Sequence, residues 1–465
     1  MRKLIAFIIL PIFLLVASCE SFIEGYDESP NAPTEATVEL LLSVSQVATF
    51  MYYTGQLTRT PAILMQQVAG TDFQMKDVRD YVLLEGDNVN EWHGLYTNCL
   101  INEKLIIDNY GEDNPYYAGI AKVLQAMTVG LLTDLWGDIP WREALGGLDG
   151  QGDELHPHFD SQQQVIGDIQ QLLTDAIADL TRPESDNLTL PGGDDYIFEG
   201  DVDAWINTAW VLKARYANRL SKRDASGSAT QALDFLSHVD LTSPNNFVNA
   251  MAIFGDEANE QNQWFDFQND RGNYIQMGEF FIDMLNSTSD PRLPFYATTD
   301  DAGGYSGTAS NDDATTSSDW GSFVGTEAGN DNPLVTYFEA KFIEAEANLR
   351  LSNNQEAADA FNDAVAASVL FVTGASDPQF EAQYANETAA SITLETIMTQ
   401  KYVAMFTQPE VWSDWRRTGY PALTPNPDSD IAGIPRRLPT CQTERQYNTN
   451  AVVVSNVLTP VWWDE

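Results

Sequence analysis

The segment from Ile120 to Trp141 sets the terms for the rest of the chain. Val123, Met127, Leu131 and Leu135 recur every four residues, with Leu124, Ala126 and Leu132 beside them. That spacing draws a broad apolar face and predicts a helix buried against neighbouring helices. It ends abruptly in Leu135-Trp136-Gly137-Asp138-Ile139-Pro140-Trp141, where Gly137 and Pro140 stop it. Several further stretches of helical period flank it, and none of its residues forms a catalytic constellation.

From Val38 to about Tyr53 a helix is expected through Leu41, Val44, Val47, Ala48 and Met51. Asn90–Tyr110 reads as a second long helix, with Trp92, Leu95, Tyr96, Cys99, Leu100, Ile106 and Ile107 inward, and Asn109–Pro115 breaks it. Gln164–Leu180 and Trp205–Leu220 read as partners. In the second of these, Lys213, Arg215 and Arg219 are expected to bind carboxylates internally. Helices resume at Tyr337–Arg350, Ala357–Val369 and Ile392–Met405. Between them, residues 240–333 lose helical period to Gly, Ser, Asn, Asp and aromatics, and residues beyond 408 read as irregular. Arg416 and Arg417, close to Trp412 and Trp415, are expected to staple that C-terminal segment through buried ion pairs.

Charge narrows the partners. The sequence has 68 acidic against 24 basic residues, a formal charge of −44. Such a field repels nucleic acid and anionic membrane surfaces. The bland account of the acid is a solvating coat; steering of a partner is the sharper one.

The first 18 residues are of another kind. Arg2 and Lys3 precede an apolar run from Leu4 to Ala17, a pattern of secretory signals that is short for a membrane span. The ending Leu15-Val16-Ala17-Ser18-Cys19 resembles the lipobox of bacterial lipoproteins, in which a lipidated Cys becomes the first mature residue. Residues 19–37 then read as a tether rich in Pro and acids. Cys99 and Cys441 are expected to be buried thiols more readily than a disulfide pair. His156-Pro157-His158 is too isolated for a metal site, and no Asp-rich stretch has the spacing of a calcium loop. No cofactor is expected.

Four features together resemble the SusD/RagB family of outer-membrane lipoproteins. They are the lipobox at Cys19, the turn from Leu135 to Trp141, the run Trp412-Ser413-Asp414-Trp415-Arg416-Arg417-Thr418-Gly419-Tyr420-Pro421, and Ile434-Pro435-Arg436-Arg437-Leu438-Pro439. The resemblance implies a mainly α fold with four tetratricopeptide-like helix pairs and an irregular, loop-rich ligand-binding portion. It implies one such domain over residues 38–465, with the helical scaffold at about 38–239 and 334–408, the loop-rich insert at 240–333, and an irregular C-terminal segment at 409–465. It further implies an extracellular lipoprotein that passes oligosaccharide, or in some branches peptide, to a SusC-like TonB-dependent outer-membrane transporter without chemistry. The shared motifs belong to the scaffold, so ligand residues follow only from physical argument.

Glycan capture needs flat aromatic faces for sugar C–H surfaces and polar neighbours for hydroxyls. The loops with that mixture hold Trp320 with Asp319, Tyr305, Trp264 with Gln263 and Asp266, and Phe73 with Asp72 and Gln74. Trp320 leads, because its Gly-Ser-Asp setting offers little hydrophobic support. Asp72 has a competing role as a helix cap. Trp92, Trp136, Trp205 and Trp210 are expected in the core, and Trp462 and Trp463 as a terminal seal. The overall charge favours a neutral glycan, such as a β-glucan, over an anionic one. A peptide-binding lipoprotein and a surface glycoside hydrolase are the rivals; the many acids do not discriminate the second, and the strand–helix alternation of a barrel is missing.

Overall fold

The computed structural model describes residues 36–146 and 155–465. The expected signal sequence, Cys19 and nearly all of the expected tether lie outside these residues.

The chain is mainly helical and its helices pack in pairs. Helix α1 (Val38–Thr54) is followed by α2 (Gln56–Leu64), strand β1 (Val68–Gly70) and the short α3 (Phe73–Arg79). Helix α1 turns inward on a different face from the one its apolar spacing predicts. Leu41, Leu42, Ala48 and Phe50 are buried, whereas Val44, Val47 and Met51 are exposed. The inner face carries polar residues that find partners far away in sequence. Ser45 donates to Glu103 at 3.3 Å and Gln46 to Asp195 at 2.7 Å. Buried polar groups are tolerated when so bonded, and local periodicity does not report such partners.

The expected helix at 90–110 forms as Val89–Gly94, a π turn at Leu95–Leu100, and α4 (Ile101–Tyr110). Helix α5 (Pro115–Trp136) is the organising element. Among the described residues it is the one helix long and apolar enough to cross a membrane, and 94% of that stretch is buried by the protein itself. Gly137, at φ 85°, ends it in a conformation that favours glycine. Beyond it, β2 (Ile139–Pro140) pairs antiparallel with β3 (Phe159–Asp160), and α6 (Gln162–Leu180) returns along α5 behind a Ser161–Gln164 capping box.

Helix α7 (Val202–Asn218) pairs with α8 (Ala225–Leu236). The approach of α7 to α5 is so close that a Cβ on Gly130 would lie 1.7 Å from the Tyr216 hydroxyl. Residues 240–333, expected as loops, include β4 (Ala250–Ala252), α9 (Gln263–Asp270), β5 (Ile275–Met277) and α10 (Glu279–Thr288). After β6 (Asn332–Val335), α11 (Tyr337–Arg350) pairs with α12 (Asn354–Thr373). Helix α13 (Leu394–Ala404) precedes α14 (Glu410–Thr418), which occupies a stretch expected to be irregular. Its inward face carries Glu410, Asp414, Arg416 and Arg417, so apolar spacing does not mark it in sequence.

Buried ion pairs tie the helix pairs together. Arg215 donates to both oxygens of Glu339 at 2.6 Å, Arg219 to Glu410 at 2.6 Å, and Arg417 to Glu346 at 2.6 and 2.8 Å. Arg416 differs from the expected ion pair. It donates to the carbonyls of Asp134 and Arg436 at 2.7 and 2.9 Å and lies over the rings of Trp412 and Trp463. Lys213 likewise meets no carboxylate; it donates to the Gln170 carbonyl and the Thr174 hydroxyl. Cys99 and Cys441 are both free and buried. Trp92, Trp136, Trp205 and Trp463 are in the core, while Trp210 is half-buried under His238, stacked at 3.9 Å, and Trp462 is half-buried.

Candidate ligand-binding site

Strands β1 and β5 form a three-residue antiparallel ribbon, with Val68 opposite Met277 and Gly70 opposite Ile275. The two ends of this ribbon carry different surfaces.

At the Gly70 end, Asp72 accepts from the Phe73 amide at 2.8 Å and starts α3. Phe73 is 61% exposed, with its backbone in the left-handed region at φ 44°. Its ring stacks on Tyr274, centroids 4.8 Å apart and planes 24° off parallel. Tyr274 follows Asn273, also left-handed at φ 68°, and stands edge-on to Phe267 of α9. Two non-glycine residues held in that region on facing turns mark local strain that the surrounding fold sustains, a property common at ligand sites. Thr71 stitches the turns together, its amide donating to the Tyr274 carbonyl at 2.9 Å and its hydroxyl to that of Asn273 at 2.6 Å. Gln74 is exposed beside the stack, and Arg271 stands over Phe267 with its guanidinium 3.8 Å from Asp270.

At the Val68 end opens a cleft of 540 Å³, a size suited to a small ligand or a few sugar rings. Its floor is backbone in close contact. A Cβ on Gly278 would lie 2.2 Å from the Gln66 carbonyl, and one on Gly307 would lie 2.3 Å from the Glu279 amide. Ile63, Val68, Phe280 and Met284 give the walls apolar area, and Gln66, Tyr81, Asn311 and Thr424 add amides and hydroxyls. Arg79 closes one side. It is 5% exposed, its Nε donates to Asp80 at 3.0 Å, and its Nη1 bonds Asp313 and the Asp312 carbonyl. Burial pulls the Arg79 guanidinium down, but Asp80 and Asp313 outweigh it and hold it above its ordinary value. Phe73 and Arg79 sit at opposite ends of α3, which spaces them about 9 Å along its axis.

The aromatic residues expected to lead the site are elsewhere. Trp320 is 1% exposed and Trp264 is fully buried, their indoles edge-to-face at 5.1 Å and 86°. Neither ring can stack on a ligand in this arrangement. The polar loop around Trp320 folds over it, and Gly325 lies so close that a Cβ there would stand 1.6 Å from the indole. Asp319 is turned inward to accept from Gln276 at 2.6 Å, and burial raises its carboxyl despite that bond. Gln263 and Asp266 lie on α9, half-buried, and the Gln263 carbonyl accepts from Arg59. Tyr305 is half-buried and its carbonyl accepts from Asn286 of α10. Of the residues singled out in sequence, the fold gathers Phe73, Asp72 and Gln74 at one exposed surface. Tyr274, Arg79 and the cleft walls were not foreseen; a Gly-Asn turn before Tyr274 was the available signal.

Every Lys and Arg among the described residues has a carboxylate within 4 Å except Arg59, Lys213, Arg416 and Arg437. Those four are buried. No group of three or more metal-ligating side chains occurs among the described residues.

No curated protein matches this sequence. Among solved structures, the chain is similar to a chitin-binding protein at 22% identity, covering 92% of this chain and 100% of that one with a TM-score of 0.75. A chitin-binding SusD homolog from Flavobacterium johnsoniae aligns at 21% identity over 92% and 97% of the two chains, TM-score 0.74. A SusD/RagB family protein from Bacteroides thetaiotaomicron aligns at 24% identity over 92% and 99%, TM-score 0.71. These likenesses establish the fold. A profile of the SusD-like family, described as starch-binding associating with outer membrane, matches residues 30–439, and the chain therefore belongs to the SusD-like family.

Proposed function

We propose that this chain is a non-catalytic, cell-surface lipoprotein that captures a neutral oligo- or polysaccharide and delivers it to a partner TonB-dependent transporter. The observation that carries this reading is the open Phe73–Tyr274 stack beside a cleft lined by amides, hydroxyls and apolar area. A sugar offers the stack its C–H face and the cleft its hydroxyls. The pairing or burial of the cations leaves little for an anionic glycan to bind. A β-glucan fits, and the relatives named as chitin-binding add a second β-linked neutral polymer with similarly flat faces. In this reading Cys19 carries the lipid on the extracellular face of the outer membrane. Residues 38–465 act as one domain, with the helix pairs serving as four tetratricopeptide-like repeats.

The test is affinity electrophoresis of residues 20–465 in gels holding a soluble β-glucan, a soluble chitin derivative or an anionic polysaccharide. Retardation by a neutral glycan that is lost in Phe73→Ala is expected, with little dependence on salt. No retardation by any glycan sinks the reading. A groove of 400 Å³ lined by Val47, Phe50, Met51, Ile253 and Phe254 supports peptide capture as the second reading. Binding of peptides that is lost in Met51→Asp and unaffected by Phe73→Ala would select it.

A further inference from the structure

A second pocket, of 440 Å³, opens on the helical scaffold and shares no lining residue with the cleft at the ribbon. It lies between α4, α5 and the turn that follows β2. Gln125 of α5 lines it. Thr128, Thr133 and Asp134 of the same helix are buried too, and each is bonded: Thr128 to Glu103, Thr133 to the Gly137 carbonyl, Asp134 to Arg219 and Trp463. Gln125 is the exception. It is 6% exposed and bonds to no described residue, yet its amide is not sealed in, so its donors and acceptor open into the pocket. Burying an amide without a partner is costly, and this one calls for hydrogen bonds from whatever fills the space.

Trp141 lines the same pocket and is held there by a braced turn. The Tyr96 hydroxyl donates to the Pro140 carbonyl at 2.7 Å, and Asp160 accepts from the amides of Trp141 and Arg142 at 3.2 and 2.8 Å. The indole is half-buried, and no other ring packs on it among the described residues. Ile107 and Leu145 add apolar area. Charges at the rim cancel, since Lys104 is paired with Asp108, and Arg142 donates through Nε and Nη2 to both Asp168 oxygens at 2.8 Å. A fixed aromatic face, apolar flanks, one open amide and a charge-balanced rim suit a neutral, hydroxyl-rich ring.

We propose that this pocket is an accessory glycan subsite that takes one neutral sugar residue, with the C–H face of the ring on Trp141 and two adjacent hydroxyls on Gln125. One hydroxyl donates to Oε1 and the other accepts from Nε2. The inference rests on the glycan reading above and adds to it a second point of contact, on the helix pairs. A site for one sugar residue is weak alone. It gains force when another stretch of the same polysaccharide already occupies the Phe73 surface, because the second contact is then made within one complex. Long chains therefore profit from the pocket, and short oligosaccharides do not.

The experiment sets a soluble β-glucan and a soluble chitin derivative, by affinity electrophoresis of residues 20–465, against the tetrasaccharide of each, by isothermal titration. Gln125→Leu is expected to weaken binding of the retarding polysaccharide about tenfold and to leave affinity for its tetrasaccharide within about twofold. Its melting temperature should be unchanged or raised, since the variant trades an unpartnered amide for an apolar group. Trp141→Ala should show the same split between long and short glycans, whatever it does to the melting temperature, and Phe73→Ala should lose both. Unchanged polysaccharide affinity in Gln125→Leu, or an equal loss for polymer and tetrasaccharide, would overturn the accessory subsite and leave glycan capture standing. A wild-type protein that neither polysaccharide retards and neither tetrasaccharide binds would overturn both.

Discussion

Trp320 stands edge-on to Trp264 at 5.1 Å, both indoles enclosed by the segment that was expected to expose them. The pair belongs to an aromatic cluster that also includes Phe406, Phe281 and Tyr296. Trp320→Ala would open a cavity there and should cost about 3 to 5 kcal/mol of stability. Urea denaturation is expected to show the lowered midpoint, and glycan affinity measured well below it should stay within twofold of wild type.

Phe73 holds its backbone at φ 44°, a region where a side chain costs about 1 kcal/mol and glycine costs nothing. Phe73→Gly should therefore keep or slightly raise the melting temperature. The same change should weaken glycan binding about tenfold, near 1.4 kcal/mol, by removing the stacking face. A parallel loss of stability and binding would assign Phe73 to the scaffold instead.

Glu103 is fully buried between α1, α4 and α5, where burial pushes its carboxyl up to about 8 despite bonds from Thr128 and Ser45. An acid raised in this way holds its proton in the folded state while the unfolded chain releases it. Its stability penalty thus grows as pH rises from about 4.5 to about 8. Glu103→Gln should be neutral near pH 4 and stabilising by on the order of a few kcal/mol near pH 8, readable as melting curves across that range.

Arg417 joins α14 to α11 through Glu346 and also bonds Asp414 at 2.7 Å. Burial pushes the Glu346 carboxyl up, but Arg417 outweighs it and holds it at about 2. A depressed acid contributes stability that is present above about pH 4.5 and lost as pH falls toward 2. Arg417→Met removes the main cation from buried Glu346 and one of two from Asp414, and should cost about 3 to 5 kcal/mol at pH 7. Adding Glu346→Gln should recover part of that loss in a double-mutant cycle, whereas independent sites would simply add.

The long helices were legible because their faces are apolar at a steady period; α5, α6 and α7 lie within a few residues of their expected bounds. What local pattern missed is nonlocal. Helix α1 buries Gln46 and Ser45 because Asp195 and Glu103 arrive from distant segments to bond them. Trp320 looked unsupported because its support is Trp264, 56 positions earlier, and the glycine at 325 that makes room for it. Phe73 was visible as an aromatic in a polar loop, but its partner Tyr274 comes from the turn that leads into the other strand of the ribbon. Pairing across that ribbon is a register fact, and each three-residue strand is too short to announce it.

The cleft is floored by main chain touching at Gln66 and Gly278, with Gly307 packed against Glu279 beside it. Side-chain substitution cannot deepen such a floor, and adding a methyl group to either glycine would push the chains apart. Room for change in the cleft lies in its walls: α3, α10 and the turns that carry Asn311 and Thr424. The cleft is thus a socket of fixed depth with an editable rim.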